Sequence, residues 1–148
     1  MFANLAVALA LAQAAPAGIR VIGAEFYAFD EDAPEGTAVP TRIVPHRPES
    51  SCFAWVLRVA PADRPVRLRE ILILPAPTPS WDVGDAPTRV SPDRRRAETE
   101  LVQDVSDGLA SNEWCIADGD PVGPYRIEVY EDERLLHRFD FQVELETY

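Results

Sequence analysis

The sequence contains no lysine, and its positive charge comes from fourteen arginines. They are outnumbered by 25 aspartates and glutamates, which gives a formal net charge of -11. Nucleic acids and anionic membranes are bound through basic protein surface, so this balance argues against both as partners. A length of 148 residues with 47% hydrophobic residues is sufficient for one domain with a packed core.

The sequence also lacks the short motifs of common catalytic sites: Gly-x-Ser-x-Gly, His-Glu-x-x-His and a glycine-rich phosphate loop. Its two histidines are His46, in a proline-bearing loop, and His137, on the apolar face of a predicted strand. Neither has a cysteine or carboxylate at ligand spacing, so no zinc site is predicted. We therefore expect no cofactor, and an unrecognised enzyme ranks third among the functions considered.

Long apolar runs are missing as well. The run from Leu5 to Ala12 is shorter than the ~20 residues that span a bilayer. It is followed by Ala12-Gln13-Ala14, the small-x-small pattern of a signal-peptide cleavage site. We predict a signal-peptide helix at residues 1–14, no membrane span after its removal, and a periplasmic or secreted mature protein. A buried N-terminal helix and a misplaced start codon are the alternatives.

Alternation of apolar and polar residues predicts β-strands along much of the chain. The clearest pattern is a hairpin of Tyr125–Tyr130 and Leu135–Leu145 around an Asp132-Glu133 turn. One face of its second strand is predicted to carry Leu135, His137, Phe139, Phe141, Val143 and Leu145. Further strands are predicted at 20–29, 42–44, 52–59, 66–74 and 112–117.

Two segments are less regular. Ala97–Val105 fits both the helical and the strand period, and its neighbours favour a strand. Pro75–Pro92 contains five prolines, which predicts one long irregular crossover between two sheets. The resulting fold class is all-β: an immunoglobulin-like antiparallel β-sandwich of about seven or eight strands over residues 19–148. Its predicted core includes Trp55, Trp114, Tyr125, Phe139 and Phe141.

Several segments carry a family resemblance: Phe53-Ala54-Trp55, Trp114-Cys115-Ile116, the strand beginning Gly123-Pro124-Tyr125, and Phe139-Asp140-Phe141. Together they resemble a small family of exported bacterial domains of unknown function. The resemblance implies an immunoglobulin-like fold and no activity. This sequence departs from it at Ala54, where glycine is usual, and at both cysteines. Tyr125 also resembles the tyrosine corner of immunoglobulin sandwiches, in which the hydroxyl bonds an upstream carbonyl.

The two cysteines, Cys52 and Cys115, favour a disulfide because their number is even and the chain is predicted to be exported. Cys52 lies on the face opposite Phe53, and Cys115 on the face opposite Trp114. Both sulfurs should therefore lie on the outer side of one sheet, bridging neighbouring strands. Free thiols and a redox or intermolecular role are the alternatives, although no Cys-x-x-Cys is present.

Three further features bear on binding. Asp118 and Asp120 are candidate calcium ligands, but turn chemistry also explains Asp-Gly-Asp. Arg94, Arg95 and Arg96 form the one basic cluster, which suits an anionic partner or a solvated strand start. Trp81 lies in a proline-flanked loop; exposure would indicate a partner contact, and packing onto the sandwich a satellite core.

We therefore predict a non-enzymatic binding or accessory module of the bacterial envelope, with a protein partner. A structural, assembly or stability factor in the periplasm is the alternative.

Overall fold

A computed structural model describes residues 18–81, 84 and 86–147 of the chain. Its ten strands are β1 Val21–Asp30, β2 Val39–Pro40, β3 Ile43–Pro45, β4 Ser51–Val59, β5 Pro65–Ile73, β6 Thr88–Val90, β7 Arg96–Asp104, β8 Leu109–Cys115, β9 Gly123–Glu131 and β10 Arg134–Glu144. They form a four-stranded sheet in the order β2-β1-β4-β8 and a six-stranded sheet in the order β3-β10-β9-β5-β7-β6. The predicted all-β, immunoglobulin-like sandwich is confirmed.

The core lies between the inward faces of the two sheets. Strand β4 contributes Phe53, Trp55, Leu57 and Val59, all of which are buried, as their alternation predicts. Phe141 of β10 stacks with Phe26 of β1 at 4.4 Å between ring centroids, so aromatic rings join the two layers. Tyr125 donates a hydrogen bond from its hydroxyl to the Pro121 carbonyl, 2.7 Å away, which is the predicted tyrosine corner.

Strand β3 lies where a short strand was predicted at 42–44. The strand count exceeds the predicted seven or eight because two further edge strands, β2 and β6, have only two and three residues. Segments this short carry no readable alternation. Ala97–Val105 is a strand, β7, rather than a helix. The sandwich also contains one parallel pair, since β3 runs parallel to β10.

The predicted face of β10 is wrong at its start. The register between β9 and β10 shifts between Leu135 and His137, so Leu136 is the extra residue of a bulge. Leu135 is consequently 47% exposed, whereas Leu136 packs against the core. Leu145, at the other end, follows the strand and is 67% exposed. A one-residue shift exchanges the two faces of a strand, which is why simple alternation misassigned Leu135.

The proline-rich segment after β5 is not a crossover between sheets, because β5, β6 and β7 all belong to the six-stranded sheet. It leaves β5 and returns as β6, which pairs with β7. Part of it is therefore regular: Thr88–Val90 lies within the segment that was predicted to be irregular throughout.

The described N-terminus is fixed to the second sheet. Ile19 is buried; its amide donates to Glu131 Oε1 at 2.9 Å, and its carbonyl accepts from Arg134 at 2.6 Å. None of the described residues forms a helix with the length and hydropathy of a membrane span. The predicted signal peptide, residues 1–14, lies outside the described residues.

Candidate functional site

A cleft of about 420 Å³ lies at one edge of the sandwich. It lies between β8, the edge strand of the four-stranded sheet, and the β6–β7 side of the other sheet. We call it the edge cleft. The residues that line it include Ser80, Trp81, Ala86, Thr88, Thr99, Asn112, Glu113, Trp114 and Cys115. Small-molecule sites occupy about 300–1,000 Å³, so the edge cleft has the size of a binding site.

Two tryptophans line the edge cleft. Trp81 meets Trp114 edge to face, with ring centroids 5.9 Å apart and an interplanar angle of 79°. The indole of Trp81 donates to the Arg94 carbonyl at 3.1 Å, and its ring packs against the core cluster. Trp81 is thus packed onto the sandwich while part of its surface faces the cleft. Trp114, which was predicted to belong to the core, is partly buried and packs against the core cluster.

The arginine cluster holds the loop that carries Trp81. The Arg94 guanidinium donates to the carbonyls of Thr78 and Pro79, at 3.0 and 2.8 Å. The Arg95 guanidinium reaches the Leu74 carbonyl at 3.4 Å, while Arg96 begins β7 with an exposed side chain. Two of the three predicted partner-contact arginines therefore bond the protein's own backbone, close to Leu74, Ser80 and Trp81, which line the edge cleft.

A buried carboxylate lies behind the β8 side of the edge cleft. Glu70 is 0% exposed on β5 and accepts three hydrogen bonds from the opposite sheet. Trp55 Nε1 and Asn112 Nδ2 donate to Oε2 at 2.5 and 3.0 Å, and Trp114 Nε1 donates to Oε1 at 2.7 Å. Burial raises the pKa of Glu70, and the three hydrogen bonds offset part of that increase. The carboxylate therefore clamps β5 to β4 and β8.

Sequence reasoning missed Glu70, although a signal was present. It shares parity with Val66, Leu68, Leu72 and Leu74, all of which are buried. A carboxylate on such a face requires hydrogen-bond donors. The tryptophans that provide them are 15 and 44 residues away in the chain, so only the fold identifies the partners.

The predicted disulfide is present between β4 and β8. Cys52 pairs directly with Cys115, and their Cα atoms are 3.9 Å apart. Neither residue belongs to the core cluster, in agreement with the predicted outer side of one sheet. Cys115 is exposed, but Cys52 is fully buried. A Glu31 carboxylate oxygen and the two sulfurs lie within 4.8 Å of one another, and the sulfurs are already bonded together.

Comparison with known proteins identifies the family. Residues 24–144 match the PM0630 beta sandwich domain. The chain belongs to this family. An immunoglobulin-like protein from Pseudomonas aeruginosa has a similar structure, with a TM-score of 0.59 at 21% sequence identity, over 88% of this chain and 100% of that one. That likeness concerns the fold alone. No curated protein matches this chain in sequence.

In this PM0630 beta sandwich domain, the predicted calcium candidates lie beside the edge cleft. Asp120 accepts a hydrogen bond at Oδ1 from the Thr78 hydroxyl, 2.6 Å away, and at Oδ2 from the Ala117 amide, 2.7 Å away. Its carbonyl lies 2.7 Å from His46 Nε2. Asp118 has an exposed side chain, and its carbonyl accepts from the Ser80 hydroxyl. The Asp120 carboxylate thus ties the turn after β8 to the loop after β5.

His137, the other histidine, lies against Phe139 with ring centroids 4.6 Å apart. Burial, and secondarily the charge of Arg42, lowers its pKa.

Proposed function

We propose that this PM0630-family domain is an exported, non-enzymatic binding module of the bacterial envelope, and that it holds its partner in the edge cleft. The observation that carries the proposal is the pairing of a 420 Å³ cleft with two partly accessible tryptophans. Aromatic side chains of this kind are enriched at interface hot spots.

Two features support export. The Cys52–Cys115 disulfide is typical of oxidising compartments, such as the periplasm or the medium. The apolar run before Ala14 has the length and cleavage pattern of a signal peptide.

The wall of the cleft carries polar groups suited to binding. Besides the acidic residues Glu113 and Asp120, it includes the neutral side chains of Thr88, Thr99 and Asn112, and Asn112 is already bonded to Glu70. Thr88 and Thr99 have their hydroxyls 3.1 Å apart. Such groups orient a bound partner through hydrogen bonds.

Site-specific photo-cross-linking in living cells tests this proposal. A photoreactive phenylalanine analogue at Thr88 faces the edge cleft, and the same analogue at Val102, which is 63% exposed on β7, is the matched control. We expect a discrete adduct in the envelope fraction from position 88 and none from position 102. Equal adducts from both positions, or none from position 88, would contradict the proposed binding surface.

A further inference from the structure

The β8 side of the edge cleft is a sheet edge with unpaired backbone. Among the described strands, β8 pairs with β4 alone, and β4 lies between β1 and β8. In an antiparallel pair, successive residues turn their N–H and C=O groups alternately toward the partner strand and away from it. The Val59 amide donates to the Gly108 carbonyl, and the Ile116 amide to the Ser51 carbonyl. Even-numbered residues of β8 therefore face β4.

The odd-numbered residues turn their backbone to the open side. Ser111 is one of them, and its backbone is bonded by the side chain of Gln103. Gln103 Oε1 accepts from the Ser111 amide at 2.9 Å, and Gln103 Nε2 donates to the Ser111 carbonyl at 2.6 Å. The Gln103 amide thus imitates a paired peptide unit. These two hydrogen bonds confirm that the backbone of the odd-numbered residues faces away from β4. The Gln103 side chain also covers one end of the open edge.

Glu113 and Cys115 are the next two residues of that set. Within the described ranges, no hydrogen bond reaches the backbone of either from a strand, loop or side chain. Both nevertheless line the edge cleft, together with Asn112 and Trp114. Since the side chains of Glu113 and Cys115 are exposed on the outer face of the sheet, the parts they present to the cleft are backbone groups.

The charged residues that line the edge cleft, Glu113 and Asp120, are acidic. Glu113 lies on the edge itself, and the Glu31 carboxylate lies within 4.8 Å of the Cys115 sulfur. The whole chain carries -11. A second copy pairing its own β8 along this edge would place Glu113 near its equivalent in the partner, and like charges on neighbouring strands are unfavourable. Charge complementarity instead favours a basic occupant.

From these observations we infer that the edge cleft receives an extended peptide segment with basic side chains, which adds as a strand to β8. The peptide backbone pairs with the free N–H and C=O groups of Glu113 and Cys115. Its alternate side chains lie over Trp114 on one face and beside the Glu113 carboxylate on the other. In strand addition, main-chain bonds supply affinity and pockets for alternate side chains supply specificity. The inference rests on the proposed function and names the chemistry of the partner.

A comparison of two substitutions at Glu113 separates the effect of backbone pairing from the effect of charge. Because the Glu113 amide faces away from β4, Glu113→Pro removes a donor that the fold does not use, and proline is tolerated at such edges. Glu113→Gln removes the charge and keeps the amide. Ser111→Pro removes the equivalent amide where Gln103 already covers it, and is the matched control.

The probe is a fluorescein-labelled heptapeptide that alternates valine with arginine, titrated by fluorescence anisotropy against the disulfide-bonded mature protein. We expect Glu113→Pro to weaken binding by at least about tenfold and Glu113→Gln by no more than about fivefold. Ser111→Pro should bind as the parent does. The fully N-methylated peptide and the valine–glutamate peptide should not bind. Melting curves identify any variant that fails to fold.

Three peptide-binding results would overturn the inference: no binding of the arginine peptide to the parent, equal binding by Glu113→Pro and Glu113→Gln, or equal binding of the glutamate peptide. A dimer in sedimentation that Glu113→Pro abolishes would make a second copy the occupant and would also overturn it. If the adduct from position 88 persists in Glu113→Pro, strand addition fails while the edge cleft stands as the binding surface. If the adduct from position 88 is absent from the parent protein as well as from Glu113→Pro, the proposed function itself is rejected.

Discussion

Glu70 is a fully buried carboxylate without a cationic neighbour among its hydrogen-bonding partners, which are two indoles and one amide. Burial raises its pKa above that of the unfolded chain, where a glutamate has a pKa of about 4.3. Between these two pKa values the native state keeps a proton that the unfolded state has released. The contribution of Glu70 to stability therefore falls as the pH rises through that window.

The Glu70→Gln substitution should therefore lower the free energy of unfolding by an amount that depends on pH. The variant places an amide N–H group among N–H donors, so we expect it to lose about 1–3 kcal/mol at pH 4.5. The deficit should shrink as the pH rises, by up to about 1.4 kcal/mol per pH unit inside the window, since glutamine does not titrate. Urea unfolding of both proteins at pH 4.5, 5.5 and 6.5 measures the difference. A difference that is independent of pH would contradict the raised pKa.

At the scale of the element, the bulge in β10 determines which leucine packs. Leu136 contacts the core, whereas Leu135 is 47% exposed. We expect Leu136→Ala to lower the free energy of unfolding by about 1–3 kcal/mol and Leu135→Ala to change it by less than about 0.5 kcal/mol. Denaturant melts of the two neighbouring variants provide their own control. If Leu135→Ala cost more than Leu136→Ala, the result would indicate unbroken alternation along β10 and would contradict the bulge.

The disulfide joins β4 to the edge strand β8 across 63 residues of sequence. Closing a loop of this length reduces the entropy of the unfolded chain, by an amount equivalent to about 4 kcal/mol in the loop-closure model. We expect the double variant Cys52→Ser/Cys115→Ser to melt at a lower temperature, and to resemble the parent protein measured in reductant. An unchanged melting temperature would show that the unfolded chain is not constrained by the bridge.

At the scale of the whole molecule, the predicted boundary is between Ala14 and Ala15. Export should remove residues 1–14, so protein recovered from the periplasm or medium should begin at Ala15, as measured by intact mass. Ala14→Leu should block the cleavage, because the site requires a small residue there. Ala17→Leu, three residues beyond, should leave it unchanged. Exported protein that retains Met1 would refute the boundary.

The sequence by itself determined the inward faces of the long strands. On β4, alternation assigned Phe53, Trp55 and Leu57 to the core, because side chains of a strand point to opposite faces with a period of two. The same parity placed Cys52 and Cys115 on one outer side, and Gly123-Pro124-Tyr125 carried the resemblance to a tyrosine corner. These are local properties, which neighbouring residues encode.

The tertiary structure decided which strands become neighbours and which remain edges. Those choices depend on contacts between residues far apart in the chain, which no local period records. They make β8 an edge, bring Trp55 and Trp114 to Glu70, and return the proline-rich segment to its own sheet. They also set the register shift at Leu136. The edge cleft lies between β8 and the β6–β7 side of the six-stranded sheet, so it forms only when the two sheets pack together.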